Sequence, residues 1–126
     1  LMSSNPVLRQ RDLPTLAKSD AVLDSSITAS LKSSDANDVL YQVEASRDYD
    51  PGPDLEKIRA PLFAVNSADD LINPPELGIL EHEIKRVVRG RAVVVPLGPD
   101  TRGHGTHTVA AVWKHYLEEL LAISGR

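Results

Sequence analysis

Residues 61–75 read Pro-Leu-Phe-Ala-Val-Asn-Ser-Ala-Asp-Asp-Leu-Ile-Asn-Pro-Pro. Leu62-Phe63-Ala64-Val65 is apolar without polar alternation, which suits a strand covered on both faces, as in a parallel sheet. Ala92-Val93-Val94-Val95 is a second such run. Between them, Asn73-Pro74-Pro75-Glu76 has the makings of a helix start: Asn accepts from free amides, Pro presets φ in the first turn, and Glu sits at the positive end. Leu77, Leu80, Ile84 and Val87 continue at helical spacing, and Lys85, Arg86 and Arg89 complement the C-terminal end before Gly90 stops the helix. Past the second strand, Val109, Trp113, Tyr116, Leu117, Leu120 and Leu121 mark a last amphipathic helix running to about Ser124. The order is strand, helix, strand, helix, an α/β pattern.

A crossover between parallel strands is right-handed and brings the C-terminal ends of both strands to one edge of the sheet, where open α/β sheets bind ligands. The loop after the first strand is Asn66-Ser67-Ala68-Asp69-Asp70-Leu71-Ile72. The loop after the second is Gly98-Pro99-Asp100-Thr101-Arg102-Gly103-His104-Gly105. If the strands are neighbours, about 4.8 Å apart, a carboxylate of one loop and the imidazole of the other meet over that edge. Such a pair has a defined use, because a carboxylate accepting from one ring nitrogen fixes the tautomer and frees the other as a general base. The glycines flanking His104 allow a tight turn with an exposed side chain. A nucleophile is not supplied: none of the seven glycines frames a serine as a G-x-S-x-G elbow would.

Before this part the chain is polar and helical. Asp50-Pro51-Gly52-Pro53 punctuates it as a linker. Leu16, Leu23, Ile27 and Leu31 share one face of a helix that begins after Pro14, and a second helix carries Ala36, Val39, Leu40 and Val43, with Ser33 or Ser34 as its cap. The acidity lies here, residues 1–70 holding 7 basic and 12 acidic side chains and residues 71–126 holding 7 and 6, for a formal net charge of −4. That balance, with no basic stripe interleaved with aromatics, points away from nucleic acid as a partner. No apolar run approaches the roughly 18 to 20 residues of a membrane span. The absence of cysteine excludes disulfides, thiolate zinc sites and thiol nucleophiles. The chain begins Leu1-Met2, and the expectation is that the natural start lies upstream, so no compartment is assigned.

Asp70-Leu71-Ile72-Asn73-Pro74-Pro75 after a strand resembles the acid loop of α/β-hydrolase proteins, and Gly103-His104 before the final helix resembles their catalytic histidine. More narrowly, Asp35-Ala36-Asn37-Asp38-Val39-Leu40-Tyr41, Asp48-Tyr49-Asp50 and Ile58-Arg59-Ala60-Pro61 are similar to the C-terminal part of homoserine O-acetyltransferase-like members. The resemblance covers about Ser34 to Leu121. It implies the C-terminal portion of an α/β-hydrolase fold, with residues 1–50 as the end of a helical cap and 51–126 as the last strand-helix-strand-helix part of the core. It also implies Asp70 and His104 as the acid and base of a Ser-Asp-His triad; Asp70 is preferred to Asp69 because its spacing to Ile72 and Pro74 matches the family pattern. The serine and the oxyanion hole would lie outside this chain. The implied substrate is a small acyl ester or acyl donor, and the implied partner is a chain or segment carrying the upstream strands and the nucleophile, or a second copy. The acetyltransferases place an acid directly after the histidine, where this chain has Gly105, so a plain ester hydrolase fits at least as well as a transferase.

Two other readings stand beside this one. His104 and His107 form H-x-x-H, a weak metal pattern that Asp69, Asp70 and His115 would have to complete; no metal and no cofactor is expected. A binding or assembly module with the same α/β layout and no catalysis is the alternative from another class, because an open sheet edge must find a partner.

Overall fold

The computed structural model describes residues 5–125. Five α-helices and two strands are present among them: α1 (Pro6–Asp12), α2 (Leu16–Ser33), α3 (Ala36–Glu44), β1 (Leu62–Ser67), α4 (Ile79–Glu83), β2 (Gly90–Val95) and α5 (Ala110–Ile123), with short 3-10 turns between them. The chain divides into two compact units. One is the helical stretch Gln10–Pro51; the other joins the described residues up to Arg9 with everything from Gly52 onward.

In the helical unit, the Thr15 hydroxyl caps α2 by accepting from the Lys18 amide, as expected for a helix entered after Pro14. The cap of α3 is Asp35, whose carboxylate accepts from the Asn37 amide, and not Ser33 or Ser34; Ser34 instead closes α2 by donating its amide to the Ser30 carbonyl. A carboxylate beside free amides gains charge that a hydroxyl lacks. The apolar positions fall at the helical spacing the sequence sets, yet Leu16, Leu23, Ile27 and Leu31 on α2, and Val39, Leu40 and Val43 on α3, remain exposed.

The second unit is built on a two-stranded parallel sheet, Leu62 opposite Gly90 through Ser67 opposite Val95. Both strands are longer than their apolar cores suggest, because β1 runs on through Asn66 and Ser67 and β2 begins at Gly90. Gly90 therefore opens a strand, and only glycine fits: a Cβ there would lie 2.6 Å from the Ile84 carbonyl oxygen. The crossover departs from the single helix expected between an Asn73 cap and Gly90. A 3-10 turn at Pro75–Leu77 ends at Gly78, whose left-handed φ of 66° cannot propagate a helix, and α4 starts afresh before a second 3-10 turn at Ile84–Arg86. Leu77 consequently stays exposed, while Val87 is the one buried apolar residue among those described.

Polar clamps hold this unit where apolar packing is thin. Arg86 donates to Glu56 and Glu83, at 2.6 Å each, and to the Gly52 carbonyl at 2.7 Å, tying the turn at Gly52–Lys57 to the end of the crossover. Arg91 on β2 reaches α5 by pairing with Glu119, and its guanidinium lies 4.9 Å from the Phe63 ring centre and 6.0 Å from that of Tyr116. No helix among the described residues is long and apolar enough to cross a membrane.

Candidate functional site

The parallel pairing carries β1 and β2 out at the same edge, so the two loops named from the sequence face one another. The Asp70 amide donates to the Ser67 carbonyl at 3.1 Å, turning the chain back as it leaves β1. Asp70 Oδ1 then accepts from the amides of Ile72 at 2.8 Å and Asn73 at 3.0 Å, an Asx turn closed by the side chain itself. With Oδ1 held in this way, Oδ2 is left to His104, and it lies 3.0 Å from Nδ1. Asp70 is buried at 4% exposure. Burial alone pushes its carboxyl up, but the bonds from the Asn73 amide, the His104 ring and the Ile72 amide together hold it below the usual carboxylate range. It is therefore ionised at neutral pH.

An ionised Oδ2 can only accept, so the facing Nδ1 carries a hydrogen, and whenever the ring is neutral the lone pair is on Nε2. Asn73 Nδ2 stands 3.5 Å from the same Nδ1; two donors cannot bond to each other, so this is proximity and not a bond. Nε2 has no hydrogen-bond partner among the described residues, and the side chain is 36% exposed. The pair is thus a charged orienter, a fixed tautomer and an unoccupied basic nitrogen open on one side.

The turn beneath His104 is specified atom by atom. Gly103 adopts φ of 56°, which brings its amide to Asp69 Oδ2 at 2.9 Å. Its carbonyl accepts from the Ser67 hydroxyl at 3.0 Å and from the Thr106 hydroxyl at 2.7 Å. His104 follows at the head of the 3-10 turn Gly105–Thr108, and His107 Nδ1 donates to the His104 carbonyl at 2.6 Å. The Trp113 indole in turn donates to the His107 carbonyl at 3.0 Å, pinning the turn to α5. His107 thus lies on this turn, ahead of the last helix.

The adjacent acids divide the labour. Asp70 meets the imidazole; Asp69 binds backbone and hydroxyl of the opposite loop, accepting from the Gly103 amide and from Thr101 Oγ1 at 3.1 Å. The His104 and His107 rings meet in a T-shaped arrangement with centres 5.3 Å apart, each with Nδ1 already engaged. His115 stacks on Tyr116 instead, and among the described residues no group of three or more acidic or histidine side chains stands where it could hold a metal ion. Sequence reading misses Asn5, Ser67, Thr101 and Thr106, all buried around this turn. Asn5 had a signal, since Asn before Pro at a helix start is a cap; the buried hydroxyls had none.

No protein family, no curated protein and no solved structure matches the chain.

Proposed function

We propose that the chain supplies the acid and base of a serine-dependent acyl-transfer centre, as the C-terminal part of an α/β-hydrolase-type enzyme acting on a small acyl ester or acyl donor. The observation that carries the proposal is the Asp70 Oδ2 to His104 Nδ1 distance of 3.0 Å with Nε2 left open. In the reaction, Nε2 takes the proton of a serine hydroxyl as its oxygen attacks the acyl carbonyl, and Asp70 stabilises the resulting imidazolium. The imidazolium then gives that proton to the leaving alkoxide, which departs as the alcohol. Water or a second alcohol, deprotonated by Nε2, releases the acyl group and regenerates the serine.

The serine comes from a segment or chain other than these loops. The hydroxyls nearest the site are all committed: Ser67 and Thr106 donate to the Gly103 carbonyl and Thr108 to that of Gly105. A second reading, a non-catalytic assembly module, draws on the sheet: among the described residues β1 and β2 pair only with each other, leaving both outer edges for another strand. Catalysis explains what that module does not, a buried ionised acid spent on one tautomer. Replacing His104 by Ala in the nucleophile-bearing protein is expected to cut ester turnover by at least about 10⁴-fold in a protein that still folds, with the thermal midpoint lowered because Asp70 Oδ2 loses its partner. Turnover equal to the parent would overturn the assignment.

A further inference from the structure

The most buried part of the second unit is polar. Asn5 at 1% exposure, Ser67 at 2%, Thr101 at 2%, Asp69 at 7%, Thr106 at 7% and Asp70 at 4% are the buried polar residues, against one buried apolar residue, Val87. All six converge on the turn that carries His104, and burying polar groups is tolerated when their bonds are made; here each of the six side chains makes at least one, with Asp69 Oδ1 the one buried side-chain atom left without a partner among the described residues. From this network we propose that Asn5 and Thr101 are positioning residues, which hold His104 in register with Asp70 through a chain of buried hydrogen bonds running from the start of α1 to the backbone of Gly103. The effect on turnover rests on the acyl-transfer reading; the effect on the imidazole does not.

The links can be oriented one by one. Asn5 Oδ1 accepts from the amides of Val7 at 2.8 Å and Leu8 at 3.2 Å, capping α1, while Nδ2 donates to the Gly98 carbonyl at 2.8 Å and to Thr101 Oγ1 at 2.9 Å. Rotating the amide by a half turn would set its oxygen against a carbonyl oxygen and its nitrogen against two donors, so these partners fix its orientation. Thr101 Oγ1 accepts from Asn5 and from the Gly98 amide at 3.2 Å. Its one hydrogen has two acceptors at 3.1 Å, Asp69 Oδ2 and the Gly98 carbonyl; the Gly98 carbonyl already accepts from Asn5 Nδ2 and from the Thr101 amide, so both its lone pairs are used and the hydroxyl is assigned to Asp69. Asp69 Oδ2 accepts in turn from the Gly103 amide at 2.9 Å. The next residue is His104. Together the links tie the start of α1 to the residue before His104, which is how a polar network favours one geometry.

The test separates this positioning role from capping and from bulk stability. Asn5→Asp keeps the oxygen that caps α1 but removes the donor; Thr101→Val keeps the shape but removes the hydroxyl; Thr101→Ser restores it. The readout is the His104 tautomer in the nucleophile-bearing protein, from long-range proton–nitrogen correlation of the ring, alongside thermal midpoint and ester turnover. Asn5→Asp and Thr101→Val are expected to convert His104 from the Nδ1–H form to a mixture with the Nε2–H form, and to lower kcat by about 10²-fold at unchanged KM, the scale of a displacement near 1 Å. Thr101→Ser is expected to keep the parent tautomer and kcat. If Asn5→Asp does not fold, the threonine pair decides alone. An unchanged tautomer in Thr101→Val, or equal loss in Thr101→Ser, would overturn the positioning role while leaving the acyl-transfer reading in place. A tautomer shift in a protein that turns over no ester would uphold the positioning role and retire that reading.

Discussion

Replacing Asp70 by Asn changes one function of this side chain and spares the other. In the parent, Oδ1 serves the Ile72 and Asn73 amides, and Oδ2 serves His104 Nδ1. An asparagine keeps its oxygen on the two amides, so the Asx turn survives, and it presents an NH₂ group to the imidazole. Nδ1 must then accept, the ring hydrogen moves to Nε2, and the nitrogen open to substrate becomes a donor that cannot take a proton. Loss of the correct tautomer with geometry intact costs about 10⁴-fold in kcat in the worked serine-protease case, or about 5.5 kcal/mol of transition-state stabilisation. The stability cost is much smaller. Three bonds to a charged group, each worth about 1.5–3 kcal/mol, become neutral ones worth about 0.5–1.5, and relief from burying a charge offsets part of this, for a net loss of about 1–2 kcal/mol. The assay is single-turnover acylation with an activated ester, paired with urea unfolding of the same variant. Acylation at the parent rate in Asp70→Asn would refute the role of the carboxylate, and unfolding weakened by far more than 2 kcal/mol would show that the turn had not survived.

Further consequences follow from the same atoms. Because the folded state holds the Asp70 carboxyl below its ordinary value, its contribution is fully present above the unfolded pKa of about 3.9 and is lost as pH falls through the lowered folded value. The gap in urea midpoint between parent and Asp70→Asn should therefore shrink as pH falls below about 4; a gap that widens below about pH 4 would contradict the shift. Gly90→Ala would place a Cβ 2.6 Å from the Ile84 carbonyl and 2.9 Å from Val87 Cβ, and is expected to cost about 1–3 kcal/mol by urea titration, with a neutral effect counting against the packing described. Gly103→Ala forces an L-residue to φ of 56°, at a cost of about 1–2 kcal/mol, and should lower acylation further by moving His104; full activity would show the turn to be more tolerant than its hydrogen bonds imply.

The strands and the meeting of a loop carboxylate with His104 could be read directly, because continuous apolar runs and strand order are properties of the local sequence and of handedness, whereas the choice of Asp70 over Asp69 came from the resemblance to the acid loop of α/β-hydrolase proteins. What lay beyond reading was decided by competition for hydrogen bonds. The pair Asn-Pro occurs at 5–6 and at 73–74. At the first, Asn5 caps the helix; at the second, no side-chain cap forms, and the Asn73 amide is taken by Asp70. Nothing in the dipeptide tells these apart, since the deciding partner is a carboxylate three residues upstream whose other oxygen is committed to His104. Gly78 likewise breaks a well-spaced helix because its φ is left-handed, a choice the apolar period does not record. The positioning of Gly103 through Asn5, Thr101 and Asp69 joins residues far apart in the chain, and only the fold brings them together.

The most direct measurement is the rate at which a fluorophosphonate labels the nucleophile-bearing protein, followed by intact mass, in the parent and in His104→Ala. The account predicts a single adduct in the parent, on a serine outside the loops described, and labelling slowed by at least about 10³-fold in the variant. Equal labelling of the two, or no labelling of a parent that turns over ester, would contradict it.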